Sequence, residues 1–167
     1  MTIYVKNKDT LIYDDFVFKC CVGKYGFTYN KLEGDKKTPI GIFSLDKIYF
    51  RDDRKEKPQT KLNLKAIKKN MGWCNDIESN QYNKLIRLPS SYSHEKLYKK
   101  ENIYDIILVL NYNMNPIIKN KGSAIFIHVS KKNYKGTEGC VALKKIHLIK
   151  VLGGLKKNTA VRIAHQK

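Results

Sequence analysis

Hydrophobic residues along this chain fall mainly into short runs that are rich in β-branched and aromatic side chains. Such runs are typical of β-strands, and the Gly, Pro, Asn and Asp residues between them are typical of turns. The runs occupy residues 2–7, 15–23, 41–51, 104–113, 123–130 and 159–164. This pattern predicts a mainly β domain, either a sandwich or an open barrel.

Helical periodicity is clear in one place, after Cys140. The apolar residues there recur at helical spacing, at Leu143, Ile146, Ile149 and Leu152. The two glycines that follow predict the end of this helix. A second, short helix is predicted over residues 60–71, and Ser93 is predicted as the N-cap of a helix within 91–98. We therefore expect one or two helices on the flank of a single domain over residues 1–167.

Composition excludes two classes of protein. Hydrophobic residues make up 42% of the chain, which is ordinary for a globular protein and too high for a disordered one. No apolar run approaches the roughly 20 residues that a membrane-spanning helix needs. Residues 1–15 lack the basic start, the apolar stretch and the small-residue cleavage site of a signal peptide. We therefore expect neither a membrane span nor a signal peptide in this chain.

Charge is the most unusual property of the composition, with 33 Lys and Arg against 15 Asp and Glu and a net charge of +18. Such a balance favours polyanionic partners, namely nucleic acid, an anionic membrane surface or a cell-wall polymer. The lysines are scattered, however, and no zinc-finger, ribonucleoprotein or basic-helix motif accompanies them. We expect solvated surface lysines and no nucleic-acid partner, and a basic nucleic-acid-binding domain is the alternative from another functional class.

Cysteine usage does not suggest a metal site or a disulfide framework. The chain has four cysteines, at Cys20, Cys21, Cys74 and Cys140. They form no C-x-x-C pair, so no metal is expected, and a single long-range disulfide stays open. Each cysteine is therefore expected by default to be a small buried hydrophobe. Cys74 is the rival nucleophile to Cys140, because Asp76 and His94 are near it in sequence.

Cys140 stands between a glycine-containing loop and the predicted helix. A thiol at a helix N-terminus has a lowered pKa, because unpaired N–H groups and the helix dipole stabilise the thiolate. The same N–H groups can hold an oxyanion, and Gly139 permits a close backbone approach or a positive φ. His128 is the candidate base. In a flat strand it shares one face with Phe126, while Ile127 lies on the other face.

These residues resemble the active-site signature of the L,D-transpeptidases with a YkuD-type catalytic domain. Segment 128–143, HVSKKNYKGTEGCVAL, contains a histidine, a spacer and then Thr-x-Gly-Cys, as that signature does. Segment 33–45, EGDKKTPIGIFSL, resembles the upstream family segment in which T-P-x-G-x-F opens a core strand. The two segments are in the family's order. The resemblance implies a mainly β, YkuD-like sandwich or open barrel.

Three departures from the usual family pattern bear on the acceptor. Glu138 stands where most members have histidine, and Ala142 stands where Asn or Arg is usual. The spacer after His128 is also shorter than is typical. The Thr-x-Gly-Cys-x-Ala pattern over 137–142 and the middle segment 72–105 instead resemble a branch that links the third residue of one peptidoglycan stem to the first residue of another. The resemblance therefore implies 1,3-crosslinks.

The mechanism that the resemblance implies assigns a role to each signature residue. Cys140 is the nucleophile and attacks the carbonyl of meso-diaminopimelate at position 3 of a tetrapeptide stem. His128 is the general base and acid, Gly139 contributes an oxyanion N–H, and Thr137 belongs to the same site. An amine of a second stem then forms the crosslink. Attack by water would make the site an L,D-carboxypeptidase, and a wall-targeting toxin of the same chemistry is also open.

The partners and location follow from that resemblance too. Donor and acceptor stem peptides of peptidoglycan are the implied partners, and neither a cofactor nor a metal is implied. The protein is expected to be a monomer that faces the periplasm or the cell wall.

Six further residues are candidates for substrate binding, at Arg51, Trp73, Asp76, Ser93, His94 and Glu138. Arg51 either binds a substrate carboxylate bidentately or forms an ion pair with one of the two aspartates that follow it. Trp73 and Asp76 form one wall of the stem-peptide groove, or they anchor a polar turn. His94 is a candidate for a second polar group in the cleft.

Overall fold

The computed structural model of the protein describes residues 1–54 and 57–165. The predicted domain over 1–167 also includes residues 55, 56, 166 and 167, which lie outside the described residues, so the single domain stays a prediction. Among the described residues, no helix is both long enough and apolar enough to cross a membrane.

Short strands dominate the secondary structure, as the hydrophobic pattern predicts. The strands are Thr2–Val5 (β1), Thr10–Tyr13 (β2), Phe16–Cys21 (β3), Phe27–Thr28 (β4), Thr38–Pro39 (β5), Gly41–Phe50 (β6), Leu64–Ala66 (β7), Met71–Cys74 (β8), Leu85–Arg87 (β9), His94–Lys96 (β10), Ile106–Leu110 (β11), Phe126–Val129 (β12), Val141–Leu143 (β13) and Ala160–Ile163 (β14). The helices are a 3-10 helix over Asn102–Tyr104 and an α-helix, α1, over Lys145–Gly154.

The main sheet has nine strands and closes on itself. Its strand order is β11-β12-β13-β3-β2-β1-β14-β6-β7, and β11 pairs with β6 in addition. Closure depends on the length of β6. Its first half, Gly41 to Ser44, pairs with β14, and its second half, Leu45 to Phe50, pairs with β11. The result is a barrel-like sheet with one α-helix beside it, which confirms the predicted fold class.

All six strands that the hydrophobic pattern predicts are present, and each is shorter than its run, β11 and β12 by about half. The pattern missed β2 and β13 in the main sheet. It also missed a separate three-stranded sheet in the order β10-β8-β9, which we call the small sheet. These missed strands are three or four residues long, so none of them produces a recognisable run of alternating residues.

Two predicted helices are wrong, because both segments form strands. Residues 60–71 contain β7, which pairs in parallel with β6. Leu62 and Leu64 are two positions apart, which is strand spacing, and both pack against the main core. Ser93 caps no helix, because it is followed directly by β10, which pairs with β8.

The α-helix after Cys140 is present, but it starts later than predicted. Of the predicted positions, Leu152 is buried and Ile149 packs against the main core. Helix α1 begins at Lys145, and Leu143 belongs to strand β13. Its buried residues are Leu148, Val151 and Leu152, while Ile146 is 72% exposed. The prediction is therefore wrong at its first two positions, since Leu143 is a strand residue and Ile146 faces the solvent.

Strand β12 separates two hydrophobic clusters. Ile127 belongs to the main core, together with residues of β1, β2, β3, β14 and α1. Phe126 points the opposite way and belongs to a second cluster, which also contains Trp73 and Cys140. This alternation confirms the predicted faces of the strand. The second cluster fills the space between the main sheet and the small sheet.

Arg51 ties the segment after the small sheet to the main sheet. Its Nε and Nη2 donate to the two carboxylate oxygens of Asp53, each at 2.7 Å, and its Nη1 donates to the Lys99 carbonyl at 2.5 Å. Its guanidinium carbon lies 3.5 Å from the centre of the Tyr98 ring. Arg51 is 4% exposed, so the ion pair with an aspartate that the sequence left open is present and largely buried on the arginine side.

We expect the substitution Arg51→Met to lower the free energy of unfolding by about 1–3 kcal/mol, because it leaves the Lys99 carbonyl without its donor. The exposed pair Lys68–Asp52, joined at 2.6 Å, offers a matched control. Lys68→Met is expected to cost less than about 1 kcal/mol, as exposed ion pairs do. Urea denaturation of the two variants makes the measurement. Equal, small losses would show that Arg51 does not anchor this segment.

Candidate active site

Parallel pairing of β12 and β13 brings the candidate nucleophile and base to one cavity. The register places Ile127 opposite Val141 and His128 opposite Ala142, so Cys140 lies one step before β13, beside Phe126. Cys140 and His128 both line a cavity of about 240 Å³. A larger cavity, of about 360 Å³, lies elsewhere and has neither cysteine nor histidine in its lining.

Cys140 is held as a buried thiol. It is 8% exposed, and its Sγ–H donates to the Ala124 carbonyl at 3.1 Å. The Phe126 N–H donates to Sγ at 3.4 Å. Burial raises the pKa of the Cys140 thiol to about 12, because a desolvated thiolate is unfavourable.

This placement corrects the prediction of a thiol at a helix N-terminus. Strand β13 follows Cys140, and helix α1 begins only at Lys145. The helix dipole acts mainly within the first turn, so it does not lower the pKa of this thiol.

His128 is buried and oriented by the backbone. Its Nδ1 lies 2.9 Å from the Val129 carbonyl oxygen. A carbonyl can only accept, so this contact favours the tautomer with its proton on Nδ1 and makes Nε2 the candidate proton acceptor; the Ile103 backbone also interacts with the imidazole. The Tyr104 ring packs against the imidazole at nearly a right angle, with centroids 5.2 Å apart. Burial lowers the pKa of His128 to about 4, so the imidazole is neutral at neutral pH.

The loop before Cys140 has a conformation that requires glycine. Gly139 has a φ of +136°, and a Cβ atom there would lie 2.9 Å from the Lys37 carbonyl oxygen. Its carbonyl accepts from Thr38 Oγ1 at 2.8 Å. Thr38 belongs to the T-P-x-G-x-F segment, so the two sequence segments that carry the family resemblance are in direct contact.

Thr137 closes the turn that presents the thiol. Its hydroxyl donates to the Cys140 carbonyl at 2.6 Å and accepts from the Gly139 N–H at 3.1 Å. The predicted oxyanion donor at Gly139 is therefore already engaged, and its use requires that it share or exchange this bond.

Several residues of the cavity lining are absent from the predicted site, among them Glu95, Lys99 and Tyr104. Glu95 and Lys99 form an ion pair at 2.6 Å. Glu95 reaches the cavity because β10 pairs with β8, where it lies opposite Trp73. No local motif marks this position, since the pairing joins residues that are far apart in sequence. Of the predicted binding residues, Glu138 lines the cavity, and its carboxylate contacts Lys36 at 3.4 Å.

The other predicted binding residues do not line this cavity: Arg51, Trp73, Asp76, Ser93 and His94. Trp73 is an anchor, as its alternative interpretation predicted. Its indole N–H donates to Asn83 Oδ1 at 3.0 Å, and its ring packs edge-on against Phe126. Asp76 accepts the Glu78 and Ser93 N–H groups at 3.1 and 3.2 Å, which fits its interpretation as a turn residue.

Ser93 and His94 also make local contacts. Ser93 Oγ donates to Asn75 Oδ1 at 2.7 Å. His94 Nδ1 lies 2.6 Å from the Tyr92 carbonyl, and its side chain lines a separate surface pocket. His94 therefore does not share a cavity with Cys140.

The remaining cysteines are core residues. Cys20, Cys21 and Cys74 are all buried free thiols, as the default interpretation predicts. Cys74 pairs in register with His94, but it does not line the cavity of Cys140. Within residues 1–54 and 57–165, no group of three or more His, Cys, Asp or Glu side chains is arranged to hold a metal ion.

We expect the rate of Cys140 alkylation by iodoacetamide to rise about tenfold per pH unit between roughly pH 7 and 9, because the thiolate fraction does so well below the thiol pKa. Peptide-resolved mass spectrometry measures this rate at Cys140 alone, and Cys140→Ala shows the labelling of the other three cysteines. A rate already at its plateau near neutral pH would instead indicate a thiolate–imidazolium pair at rest.

The fold of this chain is similar to that of a solved bacterial protein. A structure of the helical cell shape determining protein Pgp2 from Campylobacter jejuni matches with a TM-score of 0.52 and 16% identity, over 99% of this chain and 48% of that one. A structure of Bd1075 from Bdellovibrio bacteriovorus matches with a TM-score of 0.49 and 16% identity, over 98% of this chain and 48% of that one. This chain thus spans about half the length of either protein.

No curated protein matches the chain. The family model described as YkuD, L,D-transpeptidase catalytic domain, matches residues 1–163. Because this match covers nearly the whole sequence, the chain belongs to the YkuD family of L,D-transpeptidase catalytic domains.

Proposed function

We propose that this protein is a peptidoglycan L,D-transpeptidase that works through a cysteine acyl-enzyme. The observation that carries the proposal is that Cys140 and His128 line one cavity, with the imidazole oriented by a backbone carbonyl. Acyl transfer uses a nucleophile, a base and a group that orients the base, and Cys140, His128 and the Val129 carbonyl are proposed to fill these roles. Family membership supplies the substrate class, namely the stem peptides of peptidoglycan.

Acylation begins with the neutral thiol and the neutral imidazole. Cys140 Sγ attacks the carbonyl of meso-diaminopimelate at position 3 of a tetrapeptide stem, and the thiol proton passes to His128 Nε2. The carbonyl oxygen becomes an oxyanion, which the Cys140 N–H stabilises, together with the Gly139 N–H once that group shares or exchanges its bond to Thr137 Oγ1. The bond to D-Ala then breaks, and His128 returns its proton to the leaving amine.

Deacylation regenerates the thiol. The amine of a second stem attacks the thioester, His128 accepts its proton, and Cys140 leaves as a thiol. The Thr-x-Gly-Cys-x-Ala pattern over 137–142 favours an acceptor at position 1, which gives a 1,3-crosslink. If water attacks instead, the product is a tripeptide, and the enzyme is an L,D-carboxypeptidase.

Because His128 is buried and weakly basic, its protonated form is well suited to giving the proton to the leaving amine. An imidazolium formed in a site where burial lowers its pKa to about 4 is a strong acid, so it protonates the leaving amine readily. Removal of the proton from the Cys140 thiol is correspondingly unfavourable, because burial also disfavours the thiolate. Proton transfer is therefore proposed to accompany attack on the carbonyl and not to precede it.

A wall-facing location follows from this substrate, since peptidoglycan lies outside the cytoplasmic membrane. The likeness to Pgp2, which is named as a helical cell shape determining protein, supports a role for this chain in the architecture of the wall. No nucleic-acid partner is part of the proposal.

We expect the wild-type protein, incubated with purified disaccharide-tetrapeptide and disaccharide-tripeptide, to release D-Ala and to form a crosslinked dimer. Cys140→Ala removes the nucleophile and is expected to abolish both products, and His128→Asn is expected to reduce them by about 100-fold or more. Cys74→Ala is the matched control and is expected to retain activity. Mass spectrometry with fragmentation identifies the products.

The products separate the possible reactions. Fragments of a dimer distinguish a 1,3 link from a 3,3 link. Tripeptide without dimer identifies the hydrolytic reaction of the same site. If no product forms with folded wild-type protein, the proposal is overturned, and salt-dependent binding to nucleic acid becomes the next measurement.

A further inference from the structure

The cavity of Cys140 contains an ion pair that the acyl-transfer steps do not use. Glu95 Oε1 lies 2.6 Å from Lys99 Nζ, and both side chains line the cavity together with Cys140 and His128. The side chains are 34% and 24% exposed. An ion pair with this exposure contributes little to stability, so stability alone does not account for its presence beside the nucleophile.

The pair is held in place from several sides. The Lys99 carbonyl accepts from Arg51, and the Lys99 ammonium lies 5.1 Å from the centre of the Tyr104 ring. Glu95 lies opposite the anchored Trp73 in the small sheet, and its carboxylate hydrogen-bonds with the Tyr104 side chain. Two opposite charges are thus presented to the cavity at a defined separation.

The two charges act on the catalytic groups in opposite directions. Glu95 raises the pKa of both Cys140 and His128, whereas Lys99 lowers the pKa of His128. A lone carboxylate here would disfavour the thiolate without compensation. For His128, Lys99 opposes the effect of Glu95, so the pair shifts the pKa of the imidazole less than the carboxylate alone would.

A preformed ion pair selects a ligand that carries the same two charges. The positive group of such a ligand contacts Glu95 and its negative group contacts Lys99. Every charge in the cavity then has an opposite charge beside it. A ligand with a single charge binds only one of the two side chains. The other side chain, Glu95 or Lys99, is then left without an opposite charge. Lys131 and Lys135 also line the cavity, and they add positive charge for the other carboxylates of a stem peptide.

Building on the proposed function, we propose that Glu95 and Lys99 are the specificity-determining residues for the donor stem. They bind the zwitterionic end of the diaminopimelate side chain, with its ammonium on Glu95 and its carboxylate on Lys99. The reacting carbonyl and this zwitterion belong to the same residue, so binding one positions the other at Cys140.

The test measures kcat/KM for D-Ala release from three tetrapeptides. They carry meso-diaminopimelate, the same residue with its side-chain carboxylate amidated, or L-lysine at position 3. The wild type is expected to prefer free diaminopimelate over both others by roughly tenfold or more, as the loss of a charged hydrogen bond implies. Release of D-Ala reports acylation, so the readout does not depend on whether an amine or water attacks later.

Substitutions of Lys99 and Glu95 test which residue causes the preference for free diaminopimelate. Lys99→Gln is expected to reduce the ratio between free and amidated substrate to within about twofold, and Lys99→Arg is expected to restore part of it. Glu95→Gln is expected to lower kcat/KM for all three substrates about tenfold, since each carries the ammonium. Glu101→Gln, which removes an exposed carboxylate outside the cavity lining, is the matched control and is expected to leave the ratios unchanged.

The outcomes distinguish the two proposals. Cysteine-dependent release at equal rates from all three peptides would overturn the role of the ion pair and leave the proposed function standing. A wild-type preference that Lys99→Gln does not change would also overturn it. No release from any peptide would overturn the proposed function, and this inference with it.

Discussion

The parallel pairing of β12 with β13 is the contact on which the rest of the site depends. It sets His128 beside Ala142 and leaves Cys140 next to Phe126. Strand alternation then directs one face of β12 into the barrel and the other towards the small sheet. The inner face anchors the strand in the main core. The outer face is therefore free to carry a polar base without weakening the packing of the barrel.

Burial by the small sheet decides the chemical state of the two reacting groups. Desolvation acts on both in the direction of the neutral form, raising the pKa of the thiol and lowering the pKa of the imidazole. A resting ion pair, which many cysteine enzymes use, is thus disfavoured here. The structure compensates with geometry, because the Sγ atom and the imidazole Nδ1 are each fixed by backbone groups.

Much of the fold was predictable from the sequence because β-strands leave a local signal. The six long runs became strands, and the alternation of Ile127 and His128 identified the correct faces. The segment 60–71 was misassigned because Leu64, Ile67 and Met71 are spaced three and four residues apart, which also fits one face of a helix. The start of α1 was misplaced because Leu143 is apolar for a different reason, as a buried residue of β13.

In the site, the residues with a sequence signature were found and those placed by distant pairing were not. Cys140, His128 and Thr137 lie in one short motif, so their proximity was expected. Glu95 reaches the cavity only through the register of β10 on β8, which no local pattern encodes. Arg51 was ambiguous because the same guanidinium geometry fits a substrate carboxylate and Asp53 equally well.

The orientation of His128 by the Val129 carbonyl has a consequence for how this site can be studied and can evolve. The third member of the proposed catalytic group is an atom of the main chain, which every amino acid supplies. Residue 129 can therefore vary in identity while the group stays intact, and alanine scanning would register only two catalytic positions. The contact between His128 and the Val129 carbonyl would be lost only if the backbone changed its path, and the neighbouring strands of the barrel fix that path.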